Sequence, residues 1–262
     1  MMTNERLLSC ISRQEDGQYT AQYDNFTLRS VFQPIYKKDI SIVGLEALVR
    51  INLPDGTEIR PDLFFHSKTI NISDKLDVER LSSIIHIKNF AQSRFRNNKL
   101  FLNILPVAAE MIVKVPKFGH VIQKTFSFSG LKQKQVVMEL TELGSGNETF
   151  LYKATEYLSN NGFQLAIDDY GVNASTIERV KSVRPDIIKM DRSLLLMYED
   201  GNQSALLEAL HLSRKLGAQT VIEGIETEYQ LNLMKTLGFD MYQGYLLALP
   251  QTLERYDPAK IA

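Results

Sequence analysis

Five acidic residues in this chain stand at the ends of apolar runs, where an acid is costly. Glu46 follows Ile42-Val43-Gly44-Leu45, and Glu139 follows Val136-Val137-Met138. Asp168 and Asp169 follow Leu165-Ala166-Ile167, and Glu223 follows Val221-Ile222 with Glu226 one turn on. Asn103 follows Leu100-Phe101-Leu102, Lys189 follows Ile187-Ile188, and Gln243 precedes Gly244 in the last run. An ionised carboxylate beside a buried strand costs several kcal/mol or more unless it is paired or bound to a cation. One such residue fits a structural ion pair. Five at matching places ask for more. Oxygen donors without His or Cys suit Mg²⁺ or Mn²⁺ rather than Zn²⁺. Neighbouring carboxylates such as Asp168-Asp169 could hold two ions about 3.5–4 Å apart, a spacing that clamps a phosphodiester and activates water.

Each of these residues has a plainer reading when taken alone. Asp168-Asp169 reads as a turn or helix cap. Lys189 reads as a snorkelling lysine at a strand end. Glu223 and Glu226 read as acids at a helix N-terminus, and Arg50 as a surface ion-pair partner. The four histidines are scattered without metal spacing.

The elements that must position these groups are legible from the apolar pattern. Eight β-rich runs occur, at 27–36, 42–49, 100–105, 136–140, 164–167, 186–190, 220–222 and 241–247. Most are apolar on both faces, as parallel strands covered by helices should be. Helical spacing occupies 77–93, 148–160, 203–216 and 227–237; the last three end on Asn161-Gly162, Gly217 and Gly238. Strand, helix, glycine, strand is the signature of βα units. Eight strands in 262 residues favour an α/β fold of the closed (β/α)8 TIM type over an open sheet. Only five residues, Lys37–Ser41, separate the first two runs, so these should form an antiparallel hairpin. In a barrel the strand ends converge on one mouth, which is where active sites form.

Composition sets the outer limits. Net charge is −1, which argues against a broad surface for duplex DNA or RNA. The single cysteine, Cys10, excludes an intrachain disulfide and a cysteine metal site. The first residues carry Glu5 and Arg6 and no long apolar run, so neither a signal peptide nor a membrane segment is expected, and the cytoplasm is the expected compartment. Residues 1–26 read as an N-terminal extension and 27–262 as one domain.

The ordered set of motifs resembles the EAL-domain phosphodiesterases, from about Phe26 to Pro250. The signature is Glu46-Ala47-Leu48 within Gln33-Pro34-Ile35 … Gly44-Leu45-Glu46-Ala47-Leu48-Val49-Arg50. The tripeptide alone means nothing, since Glu208-Ala209-Leu210 is a second copy. The set continues as Asn103, Glu139-Leu140-Thr141-Glu142, Asp168-Asp169-Tyr170-Gly171, Ile188-Lys189-Met190-Asp191, Glu223-Gly224-Ile225-Glu226-Thr227 and Gln243-Gly244-Tyr245. The resemblance implies hydrolysis of cyclic di-GMP to linear pGpG with two ions of Mg²⁺ or Mn²⁺. It implies that Glu46, Asn103, Glu139 and Asp168 ligate one ion and that Asp168 and Asp169 serve the second. Lys189, held by Asp191, would assist the attacking water. Glu223 and Gln243 would hold water, metal or lysine, and Glu226 would support substrate or site geometry. Arg50 would contact a phosphate, for which the guanidinium fork is suited. Gln33 and Gln243 fall among the implied substrate contacts. A homodimer is also implied.

Two stretches depart from the family pattern. Tyr170-Gly171-Val172-Asn173-Ala174-Ser175-Thr176 replaces the usual Phe-Gly-Thr-Gly-Tyr-Ser-Ser, in a loop that the family uses to couple dimer interface and second metal. Phe64-Phe65-His66-Ser67-Lys68 replaces the usual Phe-Ile-Pro and acid, which bears on the base-binding wall. The altered loop is the one feature that favours the alternative reading, a module that binds the nucleotide or a protein without turning it over. The matched ligands are all present.

Overall fold

A computed structural model describes residues 1–115, 118–140, 148–171 and 177–256. Thr141, Glu142 and the altered stretch 172–176 lie outside the described residues. The chain runs α1 (Asn4–Ser9), β1 (Ile11–Arg13), β2 (Tyr19–Tyr23), β3 (Phe26–Lys37), β4 (Ile42–Asn52), β5 (Glu58–Ile59), α2 (Pro61–His66) and α3 (Ile72–Ala91). It continues β6 (Lys99–Ile104), α4 (Pro106–Lys114), α5 (His120–Ser129), β7 (Val136–Leu140), α6 (Glu148–Asn160), β8 (Gln164–Tyr170) and α7 (Ile177–Val183). The last stretch is β9 (Ile187–Met190), α8 (Arg192–Glu199), α9 (Ser204–Leu216), β10 (Gln219–Ile222), α10 (Glu228–Leu237) and β11 (Met241–Tyr242).

The sheet closes on itself. From β4 through β6, β7, β8, β9 and β10 to β11 every neighbour is parallel. Strand β3 completes the ring by pairing antiparallel with both β4 and β11. These eight strands are the expected barrel, with the expected antiparallel first strand. The glycine stops hold as well. Gly217 and Gly238 cap α9 and α10 in the left-handed conformation, and Thr227 caps the start of α10 together with Gln230.

Some boundaries differ from the sequence reading. The last strand ends at Tyr242 instead of running to Leu247. A Cβ at Gly244 would lie 2.1 Å from the Ile225 carbonyl oxygen, so the chain leaves the sheet there by pressing bare backbone against backbone. Helix α3 begins at Ile72, ahead of the expected Asp77. Residues ahead of β3 are folded: β2 pairs antiparallel with β3, and Leu7, Ala21 and Tyr23 are buried in a core shared with α3.

Side chains alternate across each strand, and this alternation builds the site. The outward residues pack under the helices in the main core, which includes Leu45, Leu102, Met138, Leu165, Ile188 and Ile222. The inward residues at the lower level form a second, apolar cluster: Ile35, Phe101, Val137, Ala166, Ile187, Val221 and Met241, with Val43 against it. Seven of the eight barrel strands supply one, and on β4 the position two residues before Glu46 is Gly44. Gly44 leaves room for Phe101, since a Cβ there would stand 2.6 Å from the ring.

Candidate metal centre

Two residues above that apolar plug, every strand turns polar. Moving one pleat toward the mouth gives Gln33, Glu46, Asn103, Glu139, Asp168, Lys189, Glu223 and Gln243. The register that fixes them is direct: Glu46 pairs with Gln33 across β3–β4, and Asn103 pairs with Glu139 across β6–β7. The sequence-predicted residues are therefore gathered at one level of one mouth.

Lys189 stands at the centre of the cluster, with 1% of its side chain exposed. Its Nζ lies 2.7 Å from Asp168, 2.9 Å from Glu223, 3.0 Å from Glu139 and 3.3 Å from Glu46. Gln243 donates to Glu46 Oε2 at 2.7 Å and to Gln33 Oε1 at 3.3 Å, and Asn103 donates to Glu46 Oε1 at 3.4 Å. Gln33 donates to the Ala248 carbonyl at 3.1 Å.

Four carboxylates around one ammonium carry a surplus of negative charge in a poorly solvated space. Burial, with repulsion from the neighbouring acids, pushes Glu139 and Glu223 well above the usual carboxylate range against the pull of Lys189; Asp168 is raised in the same way. Burial and Asp168 raise Asp169 to about 7. Burial alone would lower Lys189, but Asp168, Glu139, Glu223 and Glu46 outweigh it and hold the ammonium well above its ordinary value. Glu139 is fully buried; among the described residues its Oε2 has no hydrogen-bond partner and its Oε1 has only the ion contact with Lys189. A buried, unpartnered carboxylate oxygen in a net-negative cluster is what a cation site presents.

The donors fall into two sets. Oxygens of Glu46, Glu139 and Asp168 lie within 4.8 Å of one another, and so do oxygens of Asp168, Asp169 and Glu223. Asp168 belongs to both. Adjacent residues in a strand normally face opposite ways. Asp169 escapes this because its backbone is left-handed, φ 52°, at an irregularity of the β8–β9 register. These oxygens, all carboxylate, fit hard divalent cations.

Other expected residues sit around this centre. Asp191 does not touch Lys189; its side chain caps α8 by accepting from Ser193 N at 2.8 Å. The reason is the turn after Met190, which points Asp191 at the helix start. Glu226 pairs with Arg192 at the surface instead of with the cluster. Arg50 lies on β4 on the same face as Glu46, with its Nε 3.3 Å from Glu58. A cavity of about 340 Å³ opens beside the centre and is lined by Glu46, Asn103, Asp168, Asp169, Lys189 and Glu223. Phe65 and His66 of α2 line it too, so that departure from the family pattern reaches the site. Sequence reasoning missed the far wall: Glu79, Ser82, Ser83 and His86 of α3. Their spacing is one helix face, but polar residues at that spacing read as a solvated face.

A closed barrel of seven parallel strands and one antiparallel strand, with a carboxylate cluster at the C-terminal ends of the parallel strands, defines a TIM-type barrel with a candidate divalent-cation centre. The family model described as EAL domain matches residues 18–250, and the chain belongs to that family. It is 26% identical over 230 residues to the probable cyclic di-GMP phosphodiesterase PdeD of Escherichia coli K12, covering 82% of this chain and 40% of that protein. It is 28% identical over 213 residues to the probable cyclic di-GMP phosphodiesterase PdeA of the same strain, covering 79% and 28%. The chain thus spans less than half the length of these relatives. Among solved structures, the Bacillus subtilis YkuI protein in complex with cyclic di-GMP and calcium superposes with TM-score 0.75 at 24% identity, covering 97% of this chain and 60% of that one. A standalone EAL protein from Vibrio cholerae O395, in its cyclic di-GMP bound form, gives TM-score 0.74 at 23% identity, covering 88% and 94%.

Proposed function

We propose that this chain hydrolyses one phosphodiester of cyclic di-GMP to linear pGpG with two divalent cations, Mg²⁺ or Mn²⁺. One observation carries the reading: two carboxylate triads share Asp168 beside a cavity at a barrel mouth. Glu46, Glu139 and Asp168, with Asn103, would hold one ion; Asp168, Asp169 and Glu223 would hold the other. Bound there, the cations would polarise the phosphate and activate water. Lys189 contacts the carboxylates of Asp168, Glu223, Glu139 and Glu46 and so would orient them, and through them the attacking water. Arg50 exchanges its exposed partner Glu58 for a substrate phosphate. Gln243 donates to both Glu46 and Gln33, and the two amides would contact the substrate. Asp191 and Glu226 act from outside the cluster, through α8 and through Arg192. We place residues 27–262 as the catalytic unit, working in the cytoplasm and as a homodimer; among the described residues no helix is long and apolar enough to cross a membrane.

The test is incubation of purified protein with cyclic di-GMP and Mn²⁺, followed by chromatography of the products. Appearance of pGpG is the expected result. Binding without product would replace this reading with a nucleotide receptor.

A further inference from the structure

The wall facing the carboxylate cluster belongs to α3. Glu79, Ser82, Ser83 and His86 are spaced i, i+3, i+4 and i+7, so they share one helix face, and all four line the cavity. All are at least nine-tenths buried, at 9%, 5%, 8% and 5% exposure. Such a polar row beneath a cavity needs partners. His86 has one, the Ser30 hydroxyl at 2.7 Å from Nδ1. Glu79 Oε2 accepts from Leu105 N at 2.9 Å, and no cation pairs with the carboxyl among the described residues. The Ser82 hydroxyl has no hydrogen-bond partner among the described residues. An unmade bond of this kind costs about 1–3 kcal/mol, which a ligand can recover.

The cavity therefore has two polar walls of different chemistry. The barrel wall concentrates negative charge for cations. The α3 wall offers a carboxyl acceptor beside hydroxyl donors, with the Phe65 and His66 rings also on the lining. That is the complement of a flat heterocycle presenting N–H donors next to a carbonyl. On the reading that the substrate is a cyclic guanine dinucleotide, we propose that Glu79 and Ser82 read the Watson–Crick edge of one guanine. Glu79 gives up its proton when the base binds, and its carboxylate accepts from the ring N1–H and the exocyclic amine while Ser82 donates to O6. Bases removed from a stack are recognised by hydrogen bonds along this edge and by stacking on flat side chains. Glu79 and Ser82 are specificity residues here, since neither belongs to the cation-holding set.

The analogue carrying hypoxanthine lacks only the exocyclic amine. Equilibrium binding of cyclic di-GMP and of this analogue should be measured with Ca²⁺ present, for the wild type, Glu79→Gln and Ser82→Ala. The wild type should prefer guanine by about tenfold or more, because a site built to bond an N–H rejects the ligand that lacks it. Glu79→Gln should reduce that preference to about twofold, because the amide keeps the shape but loses one acceptor. Ser82→Ala breaks no hydrogen bond among the described residues, so it should fold normally and weaken binding of both ligands about three- to tenfold. Cleavage of bis(p-nitrophenyl) phosphate, which has no base, should be unchanged in both variants. A folded Glu79→Gln that keeps the full guanine preference overturns the proposal. If that variant does not fold, unweakened binding by Ser82→Ala overturns it instead. Loss of base preference with pGpG still produced supports both readings. Base-selective binding in a protein that makes no pGpG supports the wall and removes only the hydrolase reading.

Discussion

The ammonium of Lys189 lies 2.7 Å from Oδ1 of Asp168, across the β8–β9 pair, and the same nitrogen reaches carboxylates from β4, β7 and β10. One lysine thus ties together acids from four strands that would otherwise repel one another. It does this within a ring that offers them no other cation among the described residues.

Replacing Lys189 by Met should therefore cost ion-free stability. Breaking a buried pair typically destabilises by about 3–5 kcal/mol, because the orphaned charge stays buried. Urea unfolding in the presence of a chelator measures this. An unchanged midpoint would show that the carboxylates do not need the lysine.

Asp168 and Asp169 should fail differently. Asp168 sits in both triads, so Asp168→Asn should abolish turnover and weaken both ion sites. Asp169 sits in one, so Asp169→Asn should lower the stoichiometry of Mn²⁺ from two to one in titration calorimetry. Equal stoichiometry in the two variants would argue against a shared ligand. Glu46→Ala should also abolish turnover while leaving the barrel folded by circular dichroism.

Stability should fall on both sides of a pH optimum. Burial lowers His86 from 6.5 to about 3 in the folded state. The unfolded chain then takes up the proton first, so this contribution is complete above about pH 6.5 and shrinks as pH falls toward 3. Burial raises Glu79 from 4.5 to about 8. The folded chain keeps that proton, so this contribution is complete below about pH 4.5 and is lost as pH rises through 8. Denaturant melts from pH 4 to 9 should show Glu79→Gln flattening the alkaline limb. A limb of unchanged slope would mean that Glu79 is not protonated in the folded protein.

Gly44→Ala should destabilise by about 1–3 kcal/mol, the usual cost of overpacking. Its Cβ would stand 2.6 Å from the Phe101 ring and 2.9 Å from the Lys99 carbonyl oxygen, and the backbone cannot yield. Thermal unfolding reads the loss. Activity should drop too, because Glu46 is two residues along the same strand. A melting temperature equal to the wild type would contradict the packing described for the apolar plug.

The barrel was legible because its strands are apolar on both faces and its helix stops are glycines with the expected left-handed backbone, as at Gly217 and Gly238. The cluster was legible because an acid after such a run is conspicuous, and every acid and amide expected at strand ends lies there. Other elements carried no signal. Helix α4 starts at Pro106, directly after the strand, and its apolar run Val107–Ala109 continues the strand's pattern. Helix α3 buries Asp77, Glu79, Arg80, Ser82, Ser83, His86 and Asn89 along with its apolar residues, so it lacks the one-sided stripe that marks a helix from sequence. Asp191 was misplaced because its partner depends on a turn, and the sequence shows the order of residues but not the direction a turn gives them.

The polar level lies one pleat, about 7 Å, above the apolar plug on each strand. What the barrel stands on and what it works with are therefore different residues on the same eight strands. A descendant could exchange some of its acids for neutral side chains, each change relieving repulsion, and keep its shape as long as enough remain to pair Lys189. Enzyme and silent receptor are in this sense a few substitutions apart, and the barrel itself would not register the difference.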